Sequence, residues 1–513
     1  MTVRIGSHLQ QAAIGVAARM SRAERLALAA DLRRVVVDGE VLSDPADLET
    51  FAYDASFLTQ LAPVVPDVAV VARTAADVVA VMRHARAHGI PVTPRGAASG
   101  AGGGCVALRG GIVLAMNAMD SILEVDVANG QVVVEPGVVH ARLNEVLAAD
   151  GLIFPPDPGS SRMATIGGMA STNAHGVRAV KYGPTAAWVL GLHVVLPDGT
   201  TIETGSAGSR AKQSASGYEL TKLLVGAEGT LGVITRLRLK VMPRPKARAM
   251  VLALFDVLEH AGEAVQAVFR AGISPSAIEI LDARSLRAAN LYRPILNLPE
   301  VEAMLLFEVD GNPAGVRWDA EQVTAAVRPL ATGVEWSDQE ARIARLWEAR
   351  SVVGAAVGAL RPGSTRAYAG EDICVPVDRI PAVLRAIQDL SNRHDVPVAT
   401  YGHIGGGSLH PAVLVDGRDP DNVRRVVELT DAIHQLALEV GGTVTGEHGV
   451  GAARAPYMPR EHGPALDAMR AIKRALDPTG IMNPATIFPD DVPPTPALDA
   501  SLVPGAGGGQ RRP

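Results

Sequence analysis

Two histidines flank a glycine triplet in Tyr401–His410 (YGHIGGGSLH), and Gly446-Glu447-His448-Gly449 follows further along. His403, His410 and Glu447 offer two imidazoles and a carboxylate. That ligand set holds a catalytic divalent metal while leaving a coordination position open. His448, beside the carboxylate, is a residue type suited to moving a proton near neutral pH. One lone histidine is more often a hydrogen-bonded surface or core residue, but a spaced set of this kind reads as an active site. On these residues alone a metal hydrolase stays open, and the rest of the chain decides what kind of site this is.

The elements around these residues follow from periodicity. Residues 21–42 read as an amphipathic helix with Leu26, Leu28, Leu32 and Val35 on one face. Asp67–Thr74 is a strand, Ala75–His88 a helix with Thr74 as N-cap and Gly89 as stop, and Ile90–Thr93 a strand, giving a β-α-β unit. Strands follow at Gly111–Met116, Ile122–Asp126 and Gln131–Glu135, then a helix at Val138–Asp150. Val189–Leu196 and Thr200–Thr204 form a hairpin around Asp198-Gly199. After Pro243 and Pro245 the pattern changes. Ala249–Phe255 and Ala303–Val309 read as strands, and Ala261–Gly272 and Val316–Val327 as helices. That order suits an antiparallel sheet with helices on one face. One more strand and helix fall within 374–400. Residues 422–440 form a helix with Val426, Leu429, Ile433 and Leu436 on one side, and the tail from Asp490 reads as disordered.

Composition excludes several classes. At 513 residues the chain exceeds one compact core. A net charge of −6 gives no basic footprint for nucleic acid, and 7 Phe, 7 Tyr and 4 Trp give bases few platforms to stack on. Cys105 and Cys374 are the only cysteines, so the chain holds neither a disulfide framework nor its own iron–sulfur cluster. No run approaches the length of a transmembrane helix, and the N-terminus shows no charged-then-apolar signal pattern. A cytoplasmic protein is expected, held at most peripherally at the inner face of the membrane through a partner.

Three loops rich in small residues lie in the first half: PRGAASGAGGG at 94–104, PPDPGSSRMATIGG at 155–168, and GAEGTLGVIT at 226–235. The first lacks GxGxxG spacing and has no helix right after it, which argues against a doubly wound dinucleotide fold. Its backbone N–H groups can still wrap a pyrophosphate. Together the loops point to an extended ligand contacted along its length.

These loops, with YGPT at 182–185 and LPDG at 196–199, resemble the FAD-binding domain (PCMH type) of the vanillyl-alcohol-oxidase-like flavoproteins. IEILD at 278–282, LWEAR at 346–350, GHIGGGSLH, GEHGVG and ALDPTGIMNP at 475–484 resemble the D-lactate, glycolate and D-2-hydroxyglutarate dehydrogenase branch. The resemblance implies an α+β fold: a two-subdomain FAD-binding domain plus a cap domain with an antiparallel sheet covered by helices. The implied layout is an N-terminal helical segment over 1–60 and the FAD domain over 61–245. The cap or substrate domain covers 246–440, a return to the FAD domain 441–489, and the tail 490–513.

It also implies roles. Arg95, Gly96, Ala97, Ala98, Ser99 and Gly100 would hold the FAD pyrophosphate. Asp157, Ser160, Thr165, Gly168, Ser171, Glu228, Gly229 and Ile234 would line ribityl, ring or adenine, and Asn483 would sit near the cofactor. His403, His410 and Glu447 match metal ligands, with zinc favoured over manganese or iron. His448 matches the base, Arg350 the substrate-carboxylate arginine, and Arg454 an assisting cation. His175 stands where many family members have glycine, and reads as an ordinary polar loop residue.

The implied activity is FAD-dependent oxidation of a D-2-hydroxy acid to the 2-oxo acid. Electrons would pass to a quinone, a cytochrome, an electron-transfer flavoprotein or an iron–sulfur subunit. A flavin oxidase using O2 directly, or a flavin subunit of a multi-subunit glycolate oxidase, is the alternative. A homodimer is compatible with the pattern. Two departures stand out. The family's GHxGDGNLHxN has Gly406, Ser408 and Ala412 in place of its polar residues, which weakens the expectation of metal dependence. The hydroxyglutarate branch has a lysine where Gly370 stands. With no obvious cation for a second carboxylate, D-lactate or glycolate is favoured.

Overall fold

The computed structural model describes residues 20–206, 208–368 and 371–489. The expected disordered tail and the first nineteen residues of the N-terminal segment lie outside the described residues.

Thr74 opens the helix Ala75–His88 by accepting from the Asp77 N–H, while the Asp77 carboxylate accepts from the Thr74 N–H. Gly89 closes it at φ +64°, a conformation that glycine enters without a Cβ penalty. The strands on either side, Val68–Val71 and Val92–Arg95, both run parallel to Ile112–Ala115, which lies between them. The β-α-β unit is therefore present with a third strand inserted. Residues 21–42 are not one helix. The helix spans Arg22–Val35, and Glu40–Leu42 pairs antiparallel with Val68–Val71 as an edge strand. Its buried stripe is Leu28, Ala29 and Leu32, whereas Leu26 and Val35 are exposed.

A second, fully antiparallel sheet has the order Ile122–Asp126, Gln131–Val134, Val233–Lys240, Val189–Val195, Thr201–Glu203. The expected hairpin turns at Gly199, φ +78°. Against this sheet packs the helix Ile166–Thr172, which Thr165 caps by accepting from the Gly168 N–H. These two sheets form separate cores and make the two subdomains of the first half.

The third sheet is antiparallel, in the order Gly333–Ser337, Ala247–Phe255, Ala303–Gly311, Ala277–Asp282, Val398–Gly402, Ser408–Val415, Thr365–Ala367. One face buries Ile278, Ile280, Phe307, Val398 and Val413 under the long helices Leu258–Arg270, Pro313–Val327, Ile380–His394 and Pro420–Glu439. The other face is covered too, by Ala283–Tyr292 and Glu340–Ser351 against Leu281, Met304, Leu306 and Tyr401. The one-sided packing expected from element order is thus incomplete. The second cover carries Arg350 over the sheet.

The chain then returns to the first sheet. Met482 bridges to Val92, and Ile481 and Met482 are buried in that sheet's core. Lys473 is buried and donates to the carbonyls of Thr230 and Met482 and to the Asp477 carboxylate.

Candidate active site

Strand alternation decides what reaches the site. Side chains two apart share a sheet face, so Glu279 lies on the face of Leu281, and His410 on the face of Ala412 and Leu414. That is the face under Glu340–Ser351. His403 follows immediately after Val398–Gly402, where Gly402 takes φ +151°. Gly407, φ +81°, turns the chain into the His410 strand, and a Cβ there would stand 2.0 Å from the Val375 carbonyl oxygen. The glycine triplet therefore has a backbone reason, and it brings the two histidine rings to 5.0 Å, edge to face.

Glu447 Oε1 is the centre of the constellation. His403 Nε2 lies 3.3 Å from it, His410 Nε2 3.4 Å and His448 Nε2 3.6 Å. A tetrahedral ion with bonds of ~2.1 Å spaces its ligand atoms ~3.4 Å apart. The donors of His403, His410 and Glu447 therefore surround a position of the size a divalent ion needs, all buried and within 4.8 Å of one another. The far ring nitrogens are already engaged. His403 Nδ1 is 2.7 Å from Glu279 Oε1, and His410 Nδ1 is 2.8 Å from the Glu371 carbonyl oxygen. Those bonds orient the Nε2 atoms toward Glu447, as supporting bonds do in a metal centre. Burial disfavours a charged His403, yet Glu279 and Glu447 outweigh it and raise the ring to about 10. Both its nitrogens face carboxylates, so the ring carries two protons or one proton and a metal. Burial also opposes ionisation of Glu447, but His403 and the other rings hold it well below the usual carboxylate range.

His448 stacks parallel on His410 at 5.5 Å, and its Nδ1 stands 3.7 Å from Asp372 Oδ2. Burial lowers its pKa despite Asp372 and Glu447, which leaves a neutral ring at neutral pH. Asp372 is fully buried. It accepts from the backbone N–H groups of Glu447 and His448 and from the Thr445 hydroxyl. Gly446 has no room for a side chain between Ser408 and Asp372.

Arg350 donates through Nε to Glu279 Oε2 at 2.5 Å and lies over the Tyr401 ring at 4.7 Å. Glu279 therefore bridges Arg350 and His403. It was not foreseen, although a carboxylate inside the apolar run Ala277–Asp282 is a visible signal. Arg454 is fully buried, donates to the Gly449 carbonyl oxygen and does not line the cavity; its charge still acts on His448 and Asp372. His175 is more than a loop residue: its Nδ1 is 3.3 Å from Glu447 Oε2 and its Nε2 2.9 Å from the Gly446 carbonyl oxygen.

His403, His410, Glu447 and His448 line one cavity of about 820 Å³ together with the small-residue loops. Among the described residues, the backbone N–H groups of Ala97, Ala98, Ser99 and Gly100 have no protein acceptor, which suits a pyrophosphate. Ala98 holds φ +56° there. Gly96, Ser160, Gly168, Ser171, Gly229 and Ile234 also line the cavity. Three of the expected contacts have other partners. The Arg95 guanidinium is turned to the carbonyls of Thr50, Phe51, Tyr53 and Cys105. Both Glu228 oxygens accept from the N–H groups of Val450 and Gly451. Asn483 Nδ2 links the carbonyls of Gly104 and Glu228. Glu228 and Asn483 hold the cofactor loops and the C-terminal return together, while Arg95 ties the 94–104 loop to residues 50–53. Asp157 pairs with Arg178, which also grips Glu308 of the third sheet at 2.8 Å, so the domain seam is an ion-pair network.

A two-domain α+β oxidoreductase with an extended cofactor cleft closed by a His-His-Glu centre is the class this fold and site define. Residues 66–205 match the family described as FAD binding domain, and residues 244–487 the family described as FAD linked oxidases, C-terminal domain. The chain is 36% identical to the Bacillus subtilis protein named glycolate oxidase subunit GlcD, over 86% of this chain and 92% of that one. It is 35% identical to the Danio rerio protein named probable D-lactate dehydrogenase, mitochondrial, over 82% of this chain and 84% of that one. In fold it resembles p-cresol methylhydroxylase, at TM-score 0.75 and 18% identity over 91% of this chain and 97% of the other. It also resembles 4-ethylphenol oxidase from Gulosibacter chungangensis, at TM-score 0.72 and 20% identity over 91% and 98%. The chain belongs to the FAD-linked oxidases, a flavoprotein family of the vanillyl-alcohol-oxidase-like fold. FAD is the cofactor of that family. Among the described residues no helix is long and apolar enough to cross a membrane.

Proposed function

We propose that this protein is a dehydrogenase converting a D-2-hydroxy acid to the 2-oxo acid. The observation that carries this reading is the bridge through Glu279. It sets a carboxylate-binding guanidinium, Arg350, beside a metal-ligand histidine, His403. A 2-hydroxy acid presents a carboxylate and a hydroxyl on adjacent carbons, which matches that pair. The relatives named for glycolate and D-lactate agree with it.

In this reading FAD, held by the Ala97–Gly100 loop and its neighbours, supplies the two-electron oxidant. A divalent ion held by His403, His410 and Glu447 supplies Lewis acidity that lowers the hydroxyl pKa; zinc suits the donors, with manganese or iron as alternatives. Arg350 fixes the carboxylate by charge-assisted bonds from its Nη atoms. His448 takes the hydroxyl proton at Nε2, while Nδ1 faces Asp372. The C2 hydrogen leaves with its electron pair, and the product is the 2-oxo acid. The reduced protein then passes both electrons to an external acceptor: a quinone, a cytochrome, an electron-transfer flavoprotein or an iron–sulfur subunit. Cys105 and Cys374 are both free and too few to hold a cluster in this chain.

An anaerobic screen tests the reading: D- and L-2-hydroxy acids are mixed with the oxidised holoprotein and the flavin absorbance is followed. D-2-hydroxy acids should bleach it, chelator should slow bleaching, and Arg350→Ala should weaken substrate binding. Rapid recovery of the oxidised spectrum in air would instead make the protein an oxidase.

A further inference from the structure

Arg350 has a counterpart. Arg366 lines the same cavity and is largely buried, with its Nε anchored 2.7 Å from Glu371 Oε2. The two arms match. Glu279 links Arg350 to His403, while residue Glu371 binds Arg366 through its carboxylate and His410 through its carbonyl oxygen. Both guanidinium groups lie over the Tyr401 ring, at 4.7 and 5.4 Å, and Arg366 also covers Tyr368 at 4.2 Å. Among the described residues nothing accepts from the Nη atoms of Arg350 or from Nη2 of Arg366, and Arg366 Nη1 has only a 3.4 Å contact with the Gly354 carbonyl oxygen. Gly354 gives Arg366 its room, since a Cβ there would stand 2.7 Å from Nη1.

Two forks could grip one carboxylate or two. Arg366 meets the chain at Gly354, in the short helix Val353–Ala356 that follows the Arg350 helix Glu340–Ser351, so the two forks reach the cavity from different places. Each fork also has its own glutamate anchor, so neither can swing to the other's position without leaving a buried carboxylate uncompensated. We propose that Arg366 is a specificity-determining residue that binds a second carboxylate of the substrate, and that the preferred substrates are D-2-hydroxy dicarboxylates. This rests on the 2-hydroxy acid reading above. It also reverses the monocarboxylate preference inferred from Gly370, because the cation comes from a different position, on the strand Thr365–Ala367.

D-malate and D-lactate test it, since they differ by one carboxylate on C3. The holoprotein is reduced anaerobically with each. The second-order rate constant of flavin reduction should favour D-malate about 100-fold, and Arg366→Met should remove most of that ratio, the usual worth of a charge-assisted bond pair in a closed site. Arg350→Met should lower both substrates together. The non-reactive pair succinate and propionate gives a readout apart from turnover. Perturbation of the oxidised flavin spectrum should show succinate binding tighter, with that advantage lost in Arg366→Met. Arg366→Lys covers the case in which the Met variant does not fold, and should keep part of the malate preference. A ratio unmoved by Arg366→Met or Arg366→Lys, or equal loss of both substrates in either, overturns the second-carboxylate assignment while leaving the 2-hydroxy acid reading intact. Failure of both substrates to bleach the wild-type flavin overturns that underlying reading as well.

Discussion

His175 Nδ1 lies 3.3 Å from Glu447 Oε2, on the opposite side of the carboxylate from the three other imidazoles, while His175 Nε2 meets the Gly446 carbonyl oxygen at 2.9 Å. Both ring nitrogens face acceptors. Burial pushes the ring down, but the adjacent Glu447 carboxylate raises it above its usual value. His175 thereby occupies one carboxylate oxygen and leaves Oε1 for the metal position. His175→Ala should lower metal affinity about 10-fold or more, in the range measured when such supporting groups are removed. Metal retained per protein after dialysis against graded chelator is the measurement, with bound flavin absorbance as the control for folding. Unchanged retention would refute the clamp.

What was legible in the chain and what was not divides along physical lines. Clustered histidines and small-residue loops sit in short segments of unusual composition, so His403, His410, Glu447 and the 94–104 loop stand out as candidates without any fold. Ala75–His88 was legible to the residue because its cap, amphipathic stripe and Gly89 all agree. Groups that act through long-range pairing were not. Glu279 is visible as a carboxylate in an apolar run, but its strand is buried on both faces, so alternation does not say which partners it meets. Arg366 reaches the site only because Thr365–Ala367 pairs at the sheet edge beside the His410 strand. Arg454 shows the converse: proximity in sequence to His448 does not fix which side of a loop a side chain takes, and its guanidinium is buried against the Gly449 carbonyl oxygen.

Gly451 tests how the C-terminal return locks the cofactor loop. It sits at φ +54°, and a Cβ there would stand 1.9 Å from the Gly102 carbonyl oxygen. Gly102 in turn accepts from the N–H groups of Ala452 and Ala453. Gly451→Ala combines left-handed strain with a backbone clash and should cost about 2–4 kcal/mol. Thermal melting should show a lower midpoint, and the flavin should dissociate more readily on dilution. A variant with wild-type melting and flavin retention would show that the two segments are not coupled.

His140 should make cofactor retention acid-sensitive. Phe154 donates its N–H to Asn144 Oδ1 and accepts from Asn144 Nδ2, which fixes the amide orientation. The same Nδ2 faces His140 Nε2 at 3.0 Å, so that nitrogen must accept and the ring must be neutral, with Nδ1 donating to Ser161 at 2.7 Å. Burial drops the ring from 6.5 to about 4. Because the unfolded chain takes up the proton first, this site has its full stability above pH 6.5 and loses it as pH falls toward 4. The loss amounts to on the order of 3 kcal/mol. Melting midpoint and flavin release followed across that window should show the decline, and His140→Gln should flatten it. An equal acid slope in the variant would assign the effect to other groups.

Glu279→Gln gives the sharpest test of the site as one unit. The carboxylate has no exposure, and its two oxygens serve different partners, His403 Nδ1 through Oε1 and Arg350 Nε through Oε2. An amide keeps the shape but has one acceptor oxygen, and its NH2 must oppose one of two donors. The negative charge that offsets Arg350 and polarises His403 is also removed. Metal affinity should fall about 10–100-fold, and KM for a 2-hydroxy acid should rise because the Arg350 fork loses its anchor. The two losses should be coupled. Arg350→Met made in the Glu279→Gln background should raise KM by a smaller factor than in the wild-type background, since the fork is already displaced. Steady-state kinetics on the four proteins, alongside their metal content, measures the interaction term. Strictly additive effects would mean that Glu279 supports the histidine alone and that carboxylate binding and metal binding are independent.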